Sequence, residues 1–274
     1  RFHAQPNACP VCGPRLSLAD SNGNPVETSD EVGFVKRVLA EGAVVAVKGL
    51  GGFHLAVDAG NEAAVRRLRE RKRREEKALA IMVRDIAAAK RVVKVTRTAE
   101  RILSSYQRPI VLLEKKKRSP VAEAVAPRSK YHGVMLPYTP LHHLLLEGPY
   151  PALVMTSANV SEEPIVKDND EAVERLSGIA DYFLLHDRDI RVRVDDSVVR
   201  VLNGKIYPVR RSRGWAPGPV LMKRETPVEI LAVGGELKNA IALSKGKRVY
   251  VSQHIGDLKN ALAFDNFKDS VEAL

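Results

Sequence analysis

Short apolar runs separated by helix-length amphipathic segments are the feature that most constrains the fold of this chain. Runs such as residues 43–47 (AVVAV) and 109–113 (PIVLL) are apolar almost throughout, which is typical of strands buried on both faces. Helical segments alternate with these strands up to about residue 190. The pattern predicts an α/β fold with a mixed sheet and helices packed against it.

A different pattern follows a Pro- and Gly-rich break at residues 214–227 (GWAPGPVLMKRETP). Beyond it, residues 228–253 predict a three-stranded antiparallel meander, and residues 260–274 begin a helix. The first part of the chain is instead an irregular segment that contains both cysteines. We therefore expect three parts, at residues 1–20, 21–222 and 228–274.

Several side chains predict where helices and turns begin. Thr28 and Glu31 have the spacing of a capping box that opens a helix. Asn61 is placed to cap the helix that starts EAAVRRLRERKRR. Asn203 and Gly204 together predict the tight turn of a β-hairpin.

The formal net charge of +11 favours an anionic partner, such as a nucleic acid, a nucleotide or an acidic protein. Aromatic residues make up 5% of the chain and do not interleave with the basic run, which argues against RNA binding by base stacking. No apolar run approaches the roughly 18 residues of a membrane span, and no signal peptide opens the chain. The two cysteines do not form a secreted disulfide framework, so we expect a reducing, cytoplasmic location without membrane attachment.

A dense basic stretch lies at residues 66–74 (RRLRERKRR). Val65, Leu68 and Lys72 stand at positions i, i+3 and i+7, so Lys72 extends the apolar face of the predicted helix. Most of the arginines fall on its flanks or outer face. In one interpretation, Lys72 reaches past the helix end into solvent. In the other, Lys72 and Arg74 meet a phosphate group, since an ammonium and a guanidinium together suit a polyphosphate.

Three polar loops carry further candidates. The glycine-rich sequence KGLGG (48–52) either lets the backbone approach a ligand or forms a plain tight turn. The TSAN sequence, which contains Ser157 and Asn159, is either a capping loop or part of a ligand site at the edge of the sheet. The DDS sequence (195–197) suggests either a Mg²⁺ site or a solvated turn.

Cys9 and Cys12 have the spacing of a zinc knuckle, although the chain has no second C-x-x-C to complete four ligands. His3 is a weak candidate for a third ligand, and a redox-active pair is expected in a βαβ context that this segment lacks. A Zn²⁺ half-site completed by ligands upstream fits the spacing best. His142 and His143 are adjacent and cannot share one helix face as metal ligands, so we interpret them as structural.

Four longer stretches together resemble one family, the HypF carbamoyltransferases, in their YrdC-like domain. The stretches contain VAVKGLGGFHLAVDAG, GVMLPYTPLHHLLL, VMTSANVSEEPI and RVDDSVVRVLNGKIYPVRRSRGWAP. The resemblance implies a YrdC-like twisted mixed sheet with flanking helices. It also implies that residues 1–20 are the C-terminal half of a zinc finger, and that residues 228–274 begin an ASKHA-type transferase domain with a partial antiparallel β-meander.

The resemblance implies ATP-dependent chemistry. An acylphosphatase domain generates carbamate from carbamoyl phosphate, and the YrdC-like domain joins carbamate to ATP, giving carbamoyl-adenylate and pyrophosphate. The transferase domain then passes the carbamoyl group to the C-terminal cysteine of HypE, where it becomes a cyanide ligand of NiFe hydrogenase. We do not expect this chain to complete that transfer alone, because the transferase part is short.

In the wider family, K-x-R and S-x-N motifs bind the nucleotide, followed by a later serine and arginine. The corresponding nucleotide-binding candidates are Lys72, Arg74, Ser157, Asn159, Ser197 and Arg211. Lys72 and Arg74 are the catalytic candidates, because with Mg²⁺ they would neutralise charge developing on the triphosphate.

Two departures from the family pattern matter. Glu75 and Ala78 stand where relatives usually carry prolines, which puts the rigidity of that loop in question. The sequence KGLGG replaces the threonine-rich loop of tRNA-modifying relatives, which argues against threonine as the substrate. The alternatives are threonylcarbamoyl-adenylate synthesis for tRNA modification and an RNA-binding module, which the sequence pI of about 9.7 favours.

Overall fold

The computed structural model describes residues 13–159 and 163–274, which form two β-sheets and seven α-helices. The helices are α1 (Glu31–Ala40), α2 (Glu62–Arg71), α3 (Ile86–Val92), α4 (Arg97–Leu103), α5 (Pro140–Leu145), α6 (Asn169–Leu176) and α7 (Ala261–Glu272). None of these helices is long and apolar enough to cross a membrane.

The larger sheet is mixed, as the sequence predicts. Its strands are β1 (Leu16–Asp20), β2 (Val45–Lys48), β3 (Phe53–Asp58), β4 (Ala80–Met82), β5 (Ile110–Glu114), β6 (Tyr131–Met135), β7 (Leu153–Ser157), β8 (Tyr182–His186), β9 (Val198–Leu202) and β10 (Lys205–Arg210). They lie in the order β1-β8-β2-β3-β7-β4-β6-β5-β9-β10. The pairs β2–β8, β4–β6 and β5–β9 are parallel, and the other neighbouring pairs are antiparallel.

An apolar core lies on each face of this sheet, because successive side chains of a strand point to opposite faces. On β3, Phe53 and Leu55 join the core that contains Leu68 of α2. Ala56 joins the opposite core, which contains Leu39 of α1 and Leu145 of α5. Burying one such leucine or phenylalanine stabilises the fold by about 1.5–3 kcal/mol. His54 lies between Phe53 and Leu55, so its side chain belongs to the α1 and α5 side.

The predicted turn and cap positions are mostly confirmed. The Asn61 side chain accepts from the Ala64 amide at 3.0 Å and caps α2. Asn203 and Gly204 turn the β9–β10 hairpin with positive φ values of 49° and 74°. The capping box is wrong in detail, because Asp30 occupies the N-cap of α1. The Thr28 hydroxyl instead accepts a hydrogen bond from the Asp30 backbone amide, just before the helix begins.

The second sheet contains the predicted meander and one strand more. Its strands are β11 (Val220–Leu221), β12 (Ile230–Ala232), β13 (Ala242–Lys245) and β14 (Arg248–Val251), in the order β11-β14-β13-β12. Two strands pair across the boundaries that the sequence predicts between the three parts of the chain. β11 pairs with β14, although it lies within 21–222, and β1 pairs with β8 in the large sheet, although it lies within 1–20.

The connection between β8 and β9 folds across the large sheet. Six strands lie between these two in the sheet order, and residues 187–197 must span them. On the way, the Val194 amide donates to the Gly51 carbonyl at 3.0 Å, which places the connection against the start of β3. This connection therefore brings the side chains just before β9 close to those of β3, although β3 and β9 are not neighbours in the sheet.

Candidate functional site

Lys72 directly follows α2 and points into the protein. Its side chain extends from the buried stripe that includes Leu68, and the residue is only 5% exposed. The Nζ atom donates to the Ser157 carbonyl at 2.8 Å and to the Asn159 carbonyl and Oδ1 at 2.5 and 2.8 Å. The interpretation in which this lysine reaches into solvent is therefore wrong, because its amine is enclosed by the end of β7 and the loop that follows.

The electrostatic surroundings of Lys72 disfavour its charge. Burial lowers its pKa to about 7 from an ordinary value of 10.5, and the neighbouring Arg74 and Lys77 add to the effect. Asp195 opposes the shift only in part. All three acceptors that the described residues present to the amine are neutral oxygens, so no side chain in this part of the chain directly compensates the buried ammonium.

Arg74 lies beside Lys72 because the backbone turns sharply between them. Arg73 adopts a left-handed conformation with φ of 50°, which ends the helix. The Arg74 guanidinium then donates to Thr156 Oγ1 at 3.3 Å and to the Lys77 and Ala78 carbonyls at 3.2 and 2.9 Å. Burial lowers its pKa to about 10, with Arg69 and other cations nearby adding to the shift.

Arg69 is an exception to the expectation that most basic residues of this helix lie on its flanks or outer face. It is 8% exposed and stands four residues after Val65, on the same face as Lys72. Its guanidinium donates to the carbonyls of Arg74 and Glu75 at 2.8 and 3.2 Å, and also to those of Lys77, Ala124 and Val125. These bonds hold the loop that carries Glu75 and Ala78, whose rigidity the sequence left in question.

The TSAN sequence lies where the sequence predicts, at the carboxyl end of β7. Ser157 is the last residue of that strand, and its hydroxyl donates to Asn159 Oδ1 at 3.2 Å. The Asn159 amide group donates to the Glu163 carbonyl at 2.8 Å. The structure thus brings together four of the predicted residues, which are Lys72, Arg74, Ser157 and Asn159.

Ser197 and Arg211 are engaged elsewhere. The Ser197 hydroxyl is fully buried, donates to the Arg213 carbonyl at 2.9 Å and accepts from the Ser212 amide at 2.7 Å. Arg211 donates to the carbonyls of Trp215, Gly218 and Val251 at 2.9, 2.5 and 2.5 Å. Both side chains bind the segment at residues 212–218, which precedes the second sheet. Their contact with a nucleotide stays a prediction.

The two adjacent carboxylates of the DDS sequence do not face one space. Asp195 pairs with Arg210 at 3.0 Å. Asp196 is buried and accepts from His54 and Arg213. Among the described residues, no group of three or more His, Cys, Asp or Glu side chains is arranged to hold a metal ion. These residues therefore do not fit a Mg²⁺ site built by the protein alone.

The glycine-rich loop is tight because other segments press against it. The Gly49 amide donates to the Gly52 carbonyl at 2.9 Å, which closes a turn. A Cβ atom on Gly51 would stand 2.4 Å from the Val194 carbonyl oxygen, and one on Gly52 would stand 2.7 Å from Ile165. The glycines are therefore required by packing inside the protein, whatever ligand the loop approaches.

Sequence reasoning missed a buried polar cluster next to this loop. It brings together five side chains from separate segments, which are His54, Tyr138, His142, Asp196 and Arg213. A histidine within an otherwise apolar strand was the only signal for it, and the partners lie far apart in sequence. Cys9, Cys12 and His3 lie outside the described residues.

Comparisons with known proteins agree with these observations. The family model of the Sua5, YciO and YrdC proteins, described as Telomere recombination, matches residues 37–212. The models of the HypF finger and the HypF Kae1-like domain match residues 1–19 and 225–274. Carbamoyltransferase HypF2 of Cupriavidus necator is 48% identical over 94% of this chain. The chain belongs to the HypF family. It spans about a third of that relative, 34% of its length.

Solved structures place the fold in the same family. A full-length HypF in a phosphate- and nucleotide-bound form matches with a TM-score of 0.93 and 49% identity, over 99% of this chain and 36% of that one. A variant of P. abyssi Sua5 matches with a TM-score of 0.59 and 20% identity, over 66% of this chain and 53% of that one. The predicted YrdC-like sheet is thus confirmed for this member of the HypF family.

Proposed function

We propose that this chain carries the adenylate-forming step of a HypF carbamoyltransferase. In this step a carboxylate oxygen of carbamate attacks the α-phosphorus of ATP, a new P–O bond forms, and the bond to the β-phosphate breaks. The products are carbamoyl-adenylate and pyrophosphate. Carbamate is already a nucleophile, so the site has to align it and to stabilise charge on the phosphates.

The observation that carries the proposal is the enclosed amine of Lys72, held against Ser157 and Asn159 with no anion among the described residues in direct contact with it. A buried cation with neutral partners gains from an anion that enters beside it. Arg74 and Lys77 lie close enough to lower its pKa, so several cations converge on one place. The relative solved with a nucleotide bound has the same fold at 49% identity, which supports ATP as that anion.

Each residue of the site has a distinct part in this proposal. Lys72 and Arg74 bind the triphosphate and neutralise the charge that develops as pyrophosphate leaves. Ser157 and Asn159 position the nucleotide at the end of β7, and Mg²⁺ enters with ATP. Ser197 and Arg211, which are bonded to other parts of the chain in this structure, would exchange those partners to contact the nucleotide from the segment around β9 and β10.

The remaining assignments extend the proposal to the whole protein. Cys9 and Cys12 would bind Zn²⁺ together with ligands upstream, as the match to the HypF finger suggests. The carbamoyl group would pass through the Kae1-like domain to HypE in the cytoplasm. Carbamate would come from carbamoyl phosphate.

Pyrophosphate release tests the proposal. The chain is incubated with Mg²⁺ and ATP, and either with carbamate supplied by ammonium bicarbonate or with threonine and sodium bicarbonate, which supplies the carbonyl carbon of threonylcarbamate. We expect pyrophosphate with carbamate and none with threonine. Release only with threonine would assign the chain to threonylcarbamoyl-adenylate synthesis. Salt-sensitive RNA binding without any nucleotide turnover would favour the RNA-binding module instead.

A further inference from the structure

The buried polar cluster contains an aspartate–histidine pair with a fixed orientation. Asp196 accepts from Arg213 Nε at 2.8 Å and from His54 Nε2 at 3.1 Å. Burial alone would raise the pKa of Asp196, but Arg213 and His54 hold it far below its usual value, so the carboxylate is charged. A charged carboxylate accepts hydrogen bonds only, so the hydrogen of a neutral His54 lies on Nε2. Nδ1 is then a hydrogen-bond acceptor.

Three ring nitrogens of this cluster have no hydrogen-bond partner among residues 13–159 and 163–274. They are Nδ1 of His54 and both nitrogens of His142, and each is buried. The two rings lie with centroids 6.0 Å apart at an interplanar angle of 83°, and Tyr138 packs against His142 at 4.5 Å. Buried polar groups are nearly always paired, so a cluster with three unpaired nitrogens points to a polar guest.

A metal ion does not fit as that guest. The part of the chain that the structure describes has no metal-binding group of three or more His, Cys, Asp or Glu side chains. His54 already uses Nε2 on Asp196, and burial, with His54 nearby, lowers the pKa of His142 well below its usual value. An imidazole in its neutral form presents one acceptor nitrogen, so the two rings together suit a small molecule that donates two hydrogens.

The cluster adjoins the proposed nucleotide site. His54 on β3 stands directly opposite Ser157 on β7, whose carbonyl accepts from Lys72. Side chains directly opposite in an antiparallel pair have Cβ atoms about 4.5–5.5 Å apart. His54 and Ser157 therefore share one face at neighbouring positions. A Cβ atom on Gly49 would stand 3.0 Å from His54 Nδ1, so any side chain at this position would crowd that nitrogen.

We propose that His54 and His142 form the acyl subsite, in which their free ring nitrogens accept the two hydrogens of the carbamate amino group. The inference rests on the proposed function. An amino nitrogen donating to two ring nitrogens at about 2.9 Å fits between rings at this separation. The carboxylate of carbamate then points towards Ser157 and the end of β7, where the nucleotide is proposed to bind. Bicarbonate has a single hydrogen to donate, so the pair of histidines selects carbamate over it.

The test uses His142→Phe, because none of the described residues makes a hydrogen bond to the replaced nitrogens. We expect the KM for carbamate to rise about tenfold, as for the loss of one hydrogen bond, while the KM for ATP stays unchanged. The exposed neighbour gives a matched control, and His143→Phe leaves both values unchanged. His54→Gln, which can keep a donor towards Asp196 but lacks Nδ1, raises the KM for carbamate by a similar factor.

Pyrophosphate release by the wild-type chain distinguishes failure of the proposed function from failure of the proposed subsite. If it releases no pyrophosphate with carbamate, the proposed function is wrong; if it does and both variants keep the wild-type KM for carbamate, the subsite is wrong. If a variant does not fold, ¹⁵N NMR of the wild-type imidazoles decides. A shift of the His54 and His142 ring nitrogens on addition of carbamate, and not of bicarbonate, supports the subsite. Unchanged shifts would mean that only water meets these nitrogens and would overturn it.

Discussion

Lys72 and Arg213 are both buried cations, 5% and 7% exposed, but their surroundings differ in kind. Arg213 donates to the carboxylate of Asp196 at 2.8 Å and to the Gln107 and Arg108 carbonyls at 3.0 and 2.8 Å. Burial alone would lower its pKa, but Asp196 raises it above the usual value. Lys72 has three neutral acceptors, and its pKa falls to about 7.

The difference separates a structural cation from a binding cation. Arg213 is compensated within the protein, stacks on the Tyr138 ring at 3.4 Å, and ties the start of β5 to the segment before β9. Burial of the charged Lys72 amine costs free energy, and a bound anion would reduce that cost. Four experiments sharpen this contrast or break it.

The largest effect is expected for Arg213→Met, which leaves Asp196 buried beside His54 without its cation. Removing one partner of a buried ion pair costs about 3–5 kcal/mol, and we expect the free energy of unfolding to fall by that amount. Urea unfolding followed by circular dichroism measures it. Arg101→Met, at an exposed position, is the control and stays near wild type. A loss below about 1 kcal/mol would show that Arg213 is not the structural cation of the comparison.

Lys72→Met, in contrast to Arg213→Met, should weaken ATP binding while leaving the stability of the fold almost unchanged. It loses three hydrogen bonds but also removes a poorly compensated charge, so we expect stability to change by no more than about 1 kcal/mol. ATP affinity should fall about 100-fold, because a charged contact to phosphate is lost. Isothermal titration calorimetry with Mg²⁺ and ATP measures the affinity, with the exposed Lys94→Met as control. A variant that unfolds while ATP affinity is retained would make Lys72 a structural residue.

The low pKa of Lys72 predicts a pH dependence of ATP binding. The free lysine loses its proton above about pH 7, whereas bound phosphate stabilises the charged form and raises its pKa. Binding therefore takes up a proton, and affinity should weaken by up to about tenfold per pH unit between pH 7 and 9. Lys72→Met should show a flatter profile over the same range, and this difference removes the ionisation of ATP itself. Equal slopes for the two proteins would contradict the assignment.

The sequence predicts the sheet and most helix ends because these depend on local patterns. Lys72 could be placed on the inner face from its spacing with Val65 and Leu68, and the same spacing, applied fully, would have placed Arg69 there as well. The His54 cluster could not be predicted, because it depends on a connection that crosses six strands. The two-residue strand β11 is too short to show a pattern, so its pairing with β14 is visible only in three dimensions.

The smallest effect is expected for Arg66→Ala in the same basic stretch. The Arg66 side chain is 64% exposed and pairs with Glu62 one turn earlier at 2.6 Å. An exposed pair of this kind contributes about 0.3–0.5 kcal/mol, because water and salt screen it. We expect that loss in urea unfolding and an ATP affinity within about twofold of wild type. If ATP affinity instead falls tenfold and the loss disappears in high salt, the basic stretch attracts ATP through its summed charge. The contrast between Lys72 and its exposed neighbours would then be wrong, since burial would not decide which cation meets the phosphate.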